Sequence, residues 1–107
     1  MRRFEVVYFA TGAWRSPVVD FLDGLPPRDA AAIVADIQAF GLYGEKAPIS
    51  TKSVTGSRGL WEIRTRGFRT LYAVRGGRMV VLHVCRKQDQ RRGIGLAAER
   101  LKRLQEG

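Results

Sequence analysis

The fold is decided by residues 60–86, which read LWEIRTRGFRTLYAVRGGRMVVLHVCR. Three runs rich in β-branched and aromatic residues, at 60–65, 68–74 and 78–86, are separated by the pairs Arg66-Gly67 and Gly76-Gly77. Two-residue turns that contain glycine join neighbouring antiparallel strands. This stretch therefore predicts a three-stranded antiparallel meander.

The chain before the meander predicts one strand and two helices. Apolar residues in 4–9 follow the period of two that is typical of a strand lying on a core. Ser16, followed by proline, has the pattern of a helix N-cap, and Gly24 with the next two prolines ends this short helix. A second helix is predicted from Pro27 to about Phe40, where apolar residues recur at three- and four-residue steps.

The remaining segments are a long connection and a last helix. Residues 41–59 contain several glycines and a proline and are predicted to form a loop that carries little core. Residues 94–105 are predicted to form an amphipathic helix. The expected order is βααβββα in a single domain over residues 1–107, an α+β fold with helices packed on a mainly antiparallel twisted sheet.

Charge is the most informative property of the composition. The chain of 107 residues carries 19 Lys and Arg against 10 Asp and Glu, a formal net charge of +9. A small domain with this excess is expected to bind phosphates or acidic groups, so nucleic acid, the ribosome or an acidic protein is the predicted partner. Most of the cations are arginine, whose planar guanidinium can bind a phosphate with two hydrogen bonds.

Several classes of protein are not expected. No apolar run is long enough to cross a membrane, and charged residues stand near Met1 where a signal peptide would be apolar, so we expect a cytoplasmic protein with no membrane partner. Cys85 is the single cysteine and has no cluster of Cys or His around it in the sequence. We therefore expect no disulfide, no metal and no small-molecule cofactor.

Four segments resemble a known family. They are SPVVDFL at 16–22, GLWEIR at 59–64, FRTLY at 68–72 and VLHVCRK at 81–87. In this order they resemble the phage-derived HigB-like toxins of the RelE/ParE superfamily, and the resemblance covers nearly the whole chain. It implies a RelE-like fold, a helix-turn-helix antitoxin as partner, and cleavage of mRNA, either free or on the ribosome. These toxins usually carry Phe and then Lys-Lys where this chain has Cys85 and then Lys87-Gln88.

Cleavage of RNA by its own 2′-hydroxyl needs a group that takes the hydroxyl proton, cations beside the phosphate and an acid for the leaving oxygen. The sequence shows no carboxylate pair and no nucleophile with an obvious base, so Ser-His-Asp or metal hydrolysis is not expected. Arg64 and Arg69 are the candidates that stabilise the phosphate, and Lys87 is the candidate proton carrier. The candidates for binding RNA are Arg66, Arg86, Arg91, Lys52 and Lys46.

Counting strand positions outward from the two predicted turns places the catalytic candidates together. A two-residue turn at 66–67 sets Arg64 directly opposite Arg69 on one face of the sheet. A second such turn at 76–77 would set Val84 opposite Arg69, with Arg86 on the same face and Lys87 just past the strand. Because like charges repel, removal of either Arg64 or Arg69 is expected to leave stability unchanged or higher.

Two explanations of this charge cluster remain open at this point. A phosphate or an antitoxin carboxylate could complete it, or Glu62, two residues along the same strand face, could neutralise it as an ordinary surface network.

The aromatic residues and the single histidine are predicted to be structural. The same arithmetic pairs His83 with Thr70, on the face shared with Trp61 and Tyr72, which favours buried core positions for all of them. Trp14, in the loop after the first strand, is the remaining candidate for stacking on an RNA base.

Two other functions are left open by the sequence. ParE-type members of the superfamily bind DNA gyrase and cut nothing, and they share the fold that the resemblance implies. A non-catalytic RNA- or ribosome-binding protein would also suit the excess of cations.

Overall fold

The computed structural model describes residues 2–12 and 15–106. The helices and strands are, in chain order, β1 (Glu5–Tyr8), α1 (Pro17–Asp23), α2 (Pro27–Tyr43), β2 (Ser50–Ser53), β3 (Trp61–Thr65), β4 (Phe68–Arg75), β5 (Arg78–Arg86) and α3 (Gln90–Glu106). Short 3-10 turns follow α2 at Gly44–Lys46 and β5 at Lys87–Asp89. None of the helices in the described chain is long and apolar enough to span a membrane.

All strands lie in one sheet with the order β1-β5-β4-β3-β2. Strand β1 runs parallel to β5, whereas the other neighbouring strands are antiparallel. The predicted meander of β3, β4 and β5 is confirmed. Gly76 and Gly77 have φ angles of 53° and 77°, and a tight hairpin turn with two such residues explains the need for the glycine pair.

One strand was missing from the predicted order. Residues 50–53 pair with β3 as the edge strand β2, so the order is βααββββα. The sequence STKS gives no alternating apolar pattern because all four side chains are exposed, and the strand is held by its backbone pairing. Ala47 and Val54, on either side of β2, are buried, so the predicted loop at 41–59 contributes to the core.

A β-bulge in β5 changes the predicted register. Leu71 lies opposite His83 but Tyr72 lies opposite Val81, so Leu82 is an extra residue in β5. The Nη1 group of Arg100 donates a hydrogen bond of 2.7 Å to the Leu82 carbonyl oxygen and thereby holds the bulge against α3. Because successive strand residues alternate between faces, every residue of β5 after the bulge lies on the opposite face from the one predicted.

The two faces of the sheet are covered by different helices. On the first, the α2 face, the Phe40 ring lies 4.9 Å from the Tyr72 ring between centroids. On that face the Thr65 hydroxyl also donates to the Asp36 carboxylate over 2.6 Å. On the second, the α3 face, α3 packs mainly on β4 and β5. The β2 and β3 side of the α3 face is therefore the more open part.

Glycines inside α2 and α3 allow both helices to approach the sheet closely. A Cβ atom at Gly41 would lie 2.8 Å from Val6 Cγ2, and one at Gly93 would lie 2.8 Å from the Cys85 sulfur. Glycine disfavours the helix by about 1 kcal/mol relative to alanine, which is why the sequence predicts an earlier end for α2 and a later start for α3. The close packing on Val6 and Cys85 outweighs this cost.

Candidate functional site

The open part of the α3 face carries a group of charged side chains on three neighbouring strands. Lys52 of β2 lies opposite Glu62 of β3, and Arg64 of β3 lies opposite Arg69 of β4. The predicted pairing of the two arginines is thus confirmed. With Gln90 at the start of α3, these residues form what we call the Arg64 cluster: Lys52, Glu62, Arg64, Arg69 and Gln90.

Glu62 lies at the centre of the Arg64 cluster and is only 3% exposed. Its carboxylate accepts hydrogen bonds from Arg64 Nε at 2.9 Å and from Gln90 Nε2 at 2.8 Å. Arg69 Nε lies 3.6 Å from the same carboxylate. A buried carboxylate with two cationic neighbours and an amide donor is well compensated, so Glu62 acts as an anchor for the side chains around it.

Arg69 is buried with Glu62, at 7% exposure. Its Nη1 group donates to the carbonyl oxygens of Phe68 at 2.9 Å and Arg66 at 3.3 Å, while its Nε makes no hydrogen bond to another described residue. The guanidinium therefore braces the β3–β4 turn from inside. This burial reverses the expectation for stability, because the removal of Arg69 would leave Glu62 buried with less compensation.

Arg64 differs from its strand partner because 44% of its side chain is exposed. Glu62 lies between the two arginines, so the second of the two explanations, neutralisation by Glu62, describes these contacts, although Glu62 is buried and not part of a surface network. One carboxylate balances one of the two guanidinium charges. Arg64 remains able to bind a phosphate with the donors that Glu62 does not occupy.

The candidates at the end of β5 are separated from one another. Lys87 is exposed in the 3-10 turn, and its backbone N–H donates to the Gly67 carbonyl oxygen over 2.7 Å, so it lies beside the β3–β4 turn. Arg66, in that turn, has its Nη1 3.6 Å from the Asp29 carboxylate of α2. Arg86 pairs with Phe68 in the register and stacks over its ring at 5.3 Å, on the α2 face. The predicted position of Arg86 beside Arg64 and Arg69 is wrong because of the bulge.

The other candidates for RNA binding also lie in different parts of the structure. Arg91 is exposed in the first turn of α3, next to Gln90. Lys52 belongs to the Arg64 cluster through its position opposite Glu62. Lys46 lies instead in the turn after α2, where it lines a shallow depression with Arg2 and Arg3.

Gln90 is the residue of the site that sequence reasoning missed. It acts through its hydrogen bond to Glu62, which depends on α3 starting four residues earlier than predicted. No local pattern signals such a contact, since the two residues lie 28 positions apart.

The structure places the three residues that were predicted in the core, Tyr72, Trp61 and His83, in three different environments. Tyr72 is buried on the α2 face, as predicted, whereas Trp61 is 42% exposed and its predicted core position is wrong. His83 is half-buried on the α3 face, not on the face of Tyr72, because the bulge pairs it with Leu71. Trp14 lies outside the described residues.

His83 is held in its neutral form by its surroundings. Burial lowers the pKa of the imidazole, and the positive charge of Arg100, whose Nη1 lies 3.4 Å from His83 Nδ1, lowers that pKa further. The neutral ring can accept the arginine N–H at Nδ1, which fits a structural role under α3.

The lowered pKa of His83 predicts how stability depends on pH. In the unfolded chain this histidine takes up a proton near its ordinary pKa of about 6.5, whereas the folded protein resists protonation until a lower pH. We expect the free energy of unfolding, measured with urea, to fall as the pH drops below about 6.5. His83→Gln should flatten this part of the profile. A profile that is unchanged in the variant would contradict the role of His83.

Cys85 lies opposite Arg69 and beneath Gly93. Burial raises the pKa of its thiol to about 11, with a further contribution from Asp89, while Arg69 acts in the opposite direction. The thiol therefore stays protonated at neutral pH and serves as a small packing group. Among residues 2–12 and 15–106, no three His, Cys, Asp or Glu side chains are grouped as metal ligands would be.

Comparison with known proteins connects this structure to one family. No curated protein matches the chain. Among solved structures, a chain of the RelB–RelE antitoxin–toxin complex from Methanococcus jannaschii superposes with a TM-score of 0.64 at 15% identity, over 80% of this chain and 95% of that one. The fold is therefore RelE-like. Residues 20–102 match the family model described as "Phage derived protein Gp49-like (DUF891)". Since this match spans most of the sequence, the chain belongs to the Gp49-like family of phage derived proteins.

Proposed function

We propose that this chain is the toxin of a type II toxin–antitoxin system and that it cleaves mRNA, in association with the ribosome. The observation that carries the proposal is the Arg64 cluster, where an exposed guanidinium is anchored by a buried carboxylate on an open face of a RelE-like sheet. The family of phage derived proteins and the net charge of +9 support it.

The reaction requires the RNA 2′-oxygen to attack the adjacent phosphorus while the bond from phosphorus to the 5′-oxygen breaks. The products are a 2′,3′-cyclic phosphate and a 5′-hydroxyl. Arg64 would bind the phosphate and stabilise the negative charge that develops on its oxygens. Glu62 and Gln90 would position Arg64, and Arg69 would hold Glu62 and the β3–β4 turn.

Lys87 is the group that we propose for proton transfer. Arginine stays charged at ordinary pH, so Arg64 and Arg69 are poor proton carriers, and the Glu62 carboxylate is occupied by its hydrogen bonds. Lys87 is exposed and lies beside the β3–β4 turn, within the same end of the sheet as Arg64. Arg66, Arg91 and Lys52 would hold the RNA backbone around it, whereas the places of Arg86 and Lys46 give them at most a peripheral part.

The substitution Lys52→Ala tests whether RNA binding depends on the positive charge of this surface. We expect Lys52→Ala to weaken binding of single-stranded RNA at physiological salt, and to reduce the slope of log affinity against log salt by about 0.7, the amount expected for the loss of one phosphate contact. Because Lys52 is exposed, the free energy of unfolding should change by less than about 0.5 kcal/mol.

Lys102→Ala is the matched control for this measurement. Lys102 is exposed on α3 and lies about 18 Å along the helix from Gln90, at 1.5 Å per residue. RNA affinity that does not depend on salt, or an equal effect of the two substitutions, would contradict the assignment of Lys52 to the RNA-binding surface.

The proposed partner is an antitoxin with a helix-turn-helix domain, encoded by a neighbouring gene. The RelB–RelE complex is an antitoxin–toxin pair, and the charge of this chain favours an acidic protein surface. Co-expression with the neighbouring frame should restore growth if that frame encodes the antitoxin.

The experiment that tests the function is induction of this chain in bacterial cells, with RNA ends and DNA breaks mapped after growth stops. Cuts within translated codons support the proposal. Intact mRNA together with DNA breaks would assign the chain to gyrase inhibition. Arrest of translation without cuts would assign it to RNA or ribosome binding without catalysis.

A further inference from the structure

A recessed site lies on the α2 face of the sheet. This half-open pocket has a volume of about 170 Å³, and we call it the Trp61 pocket. It is lined, among others, by Phe4, Phe40, Glu45, Thr51, Trp61 and Tyr72. The pocket lies on the opposite face of the sheet from the Arg64 cluster, so the proposed reaction makes no use of it.

The walls of the Trp61 pocket are aromatic. The Phe4 and Phe40 rings stack at 5.4 Å between centroids with an interplanar angle of 9°, and Phe40 packs in turn on Tyr72. Trp61 begins β3 with 42% of its surface exposed. A large indole left open beside stacked rings offers a flat, polarisable surface, which suits another planar ring.

Polar groups stand among these rings. The Glu45 carboxylate is exposed and forms no ion pair with another residue of the described chain. Tyr72 is only 2% exposed and lines the pocket. Burial, and secondarily the charge of Glu45, raises the pKa of Tyr72 to about 12, so its hydroxyl stays a hydrogen-bond donor. Thr51 adds a second hydroxyl.

These groups together match one nucleobase better than the others. A carboxylate accepts two parallel N–H bonds from a single planar edge. Guanine presents such an edge through its ring N1–H and its 2-amino group, and it carries a carbonyl oxygen beside them that a tyrosine or threonine hydroxyl can reach. Adenine and cytosine place an acceptor next to their amino group, and uracil flanks its single N–H with two carbonyl oxygens.

We propose that the Trp61 pocket binds a guanine base of single-stranded RNA. The proposal rests on the function proposed above, in that it names a base contact for an RNA bound at the Arg64 cluster. The two sites are separated by the edge strand β2, whose neighbouring residues Thr51 and Lys52 point to opposite faces. An RNA strand that crosses this edge can place a phosphate at Lys52 and a base in the pocket.

The test uses the fluorescence of Trp61 in the full chain. The sequence has two tryptophans, so Trp14→Phe leaves Trp61 as the single indole. Titration with guanosine 5′-monophosphate should quench this fluorescence saturably, and the adenosine, cytidine and uridine monophosphates should bind at least about tenfold more weakly. Glu45→Gln should reduce guanosine affinity at least about tenfold. Glu99→Gln, an exposed carboxylate on α3, is the matched control and should change nothing.

Several results would overturn the proposal. They are no quenching by guanosine monophosphate, equal affinity for all four nucleotides, or equal effects of Glu45→Gln and Glu99→Gln. Quenching by a peptide with an aromatic side chain but not by the nucleotide would assign the pocket to a protein partner instead. If guanosine monophosphate does not bind, RNA cleavage in cells still tests the proposed function independently. If it binds but no RNA is cut in cells, the proposal for the Trp61 pocket stands and the proposed nuclease function is rejected.

Discussion

Arg64→Ala is expected to lower the rate of RNA cleavage at least about a hundredfold, because it removes the exposed guanidinium proposed to stabilise the phosphate in the transition state. The fold should persist. Arg64 is 44% exposed, and although its loss removes a 2.9 Å hydrogen bond to the buried Glu62 carboxylate, that carboxylate keeps its contacts with Gln90 and Arg69, so the free energy of unfolding should fall by about 1–2 kcal/mol. Single-turnover cleavage measures the loss of rate, and urea unfolding of the same preparations measures the change in stability.

Two further variants separate charge from geometry at this position. Arg64→Lys keeps the charge but loses the planar donor pair, so its cleavage rate should lie between those of the alanine variant and the native chain. Arg75→Ala removes an exposed arginine at the opposite end of the sheet and should cleave normally. If Arg64→Ala cleaves RNA at the native rate, the Arg64 cluster is not the active site.

Arg69→Ala is expected to destabilise the protein by about 3 kcal/mol or more, a larger effect on stability than that of Arg64→Ala, because Arg69 is itself buried. The substitution removes two hydrogen bonds to carbonyl oxygens in and beside the β3–β4 turn, and it leaves the buried Glu62 carboxylate with less positive charge beside it. Urea unfolding of the two alanine variants, measured side by side, gives the comparison.

A double variant tests whether the uncompensated charge of Glu62 causes this loss of stability. If the loss comes from an uncompensated Glu62, Arg69→Met combined with Glu62→Leu should recover much of the stability that Arg69→Ala loses, because both charges then leave the interior together. Equal stability of Arg69→Ala and the native chain would show that the buried ion pair contributes nothing. Loss of cleavage in a folded double variant is expected as well, since Arg64 then lacks its anchor.

The sequence predicts the meander and the opposition of Arg64 and Arg69 correctly because both depend on short-range features. Two-residue turns set the register locally, and glycine marks the turns. The bulge at Leu82 could not be predicted in this way. It is held by Arg100 of α3, 18 positions away, and its effect is to exchange the faces of His83 and Arg86 relative to a regular ladder.

The burial of Arg69 was equally hidden, because it depends on Glu62 and on carbonyl groups of the β3–β4 turn that only the folded chain brings together. Strand β2 could not be predicted because all four of its side chains are exposed, so its sequence shows no alternation of apolar and polar residues. Trp61 shows that a strand alternation predicts which side a residue lies on, but not whether a helix covers it there.

The parallel pairing of β1 with β5 has a consequence for synthesis of the chain. Glu5 and Arg78 are 73 positions apart, yet they are joined in the register and by a hydrogen bond of 3.2 Å. Strand β5 is also the partner of β4, so the sheet cannot close while residues 78–86 are still inside the ribosome. Because Glu62 is also held by Gln90, a nascent chain must extend through α3's first residue before the Arg64 cluster can assemble, and shorter nascent chains lack it.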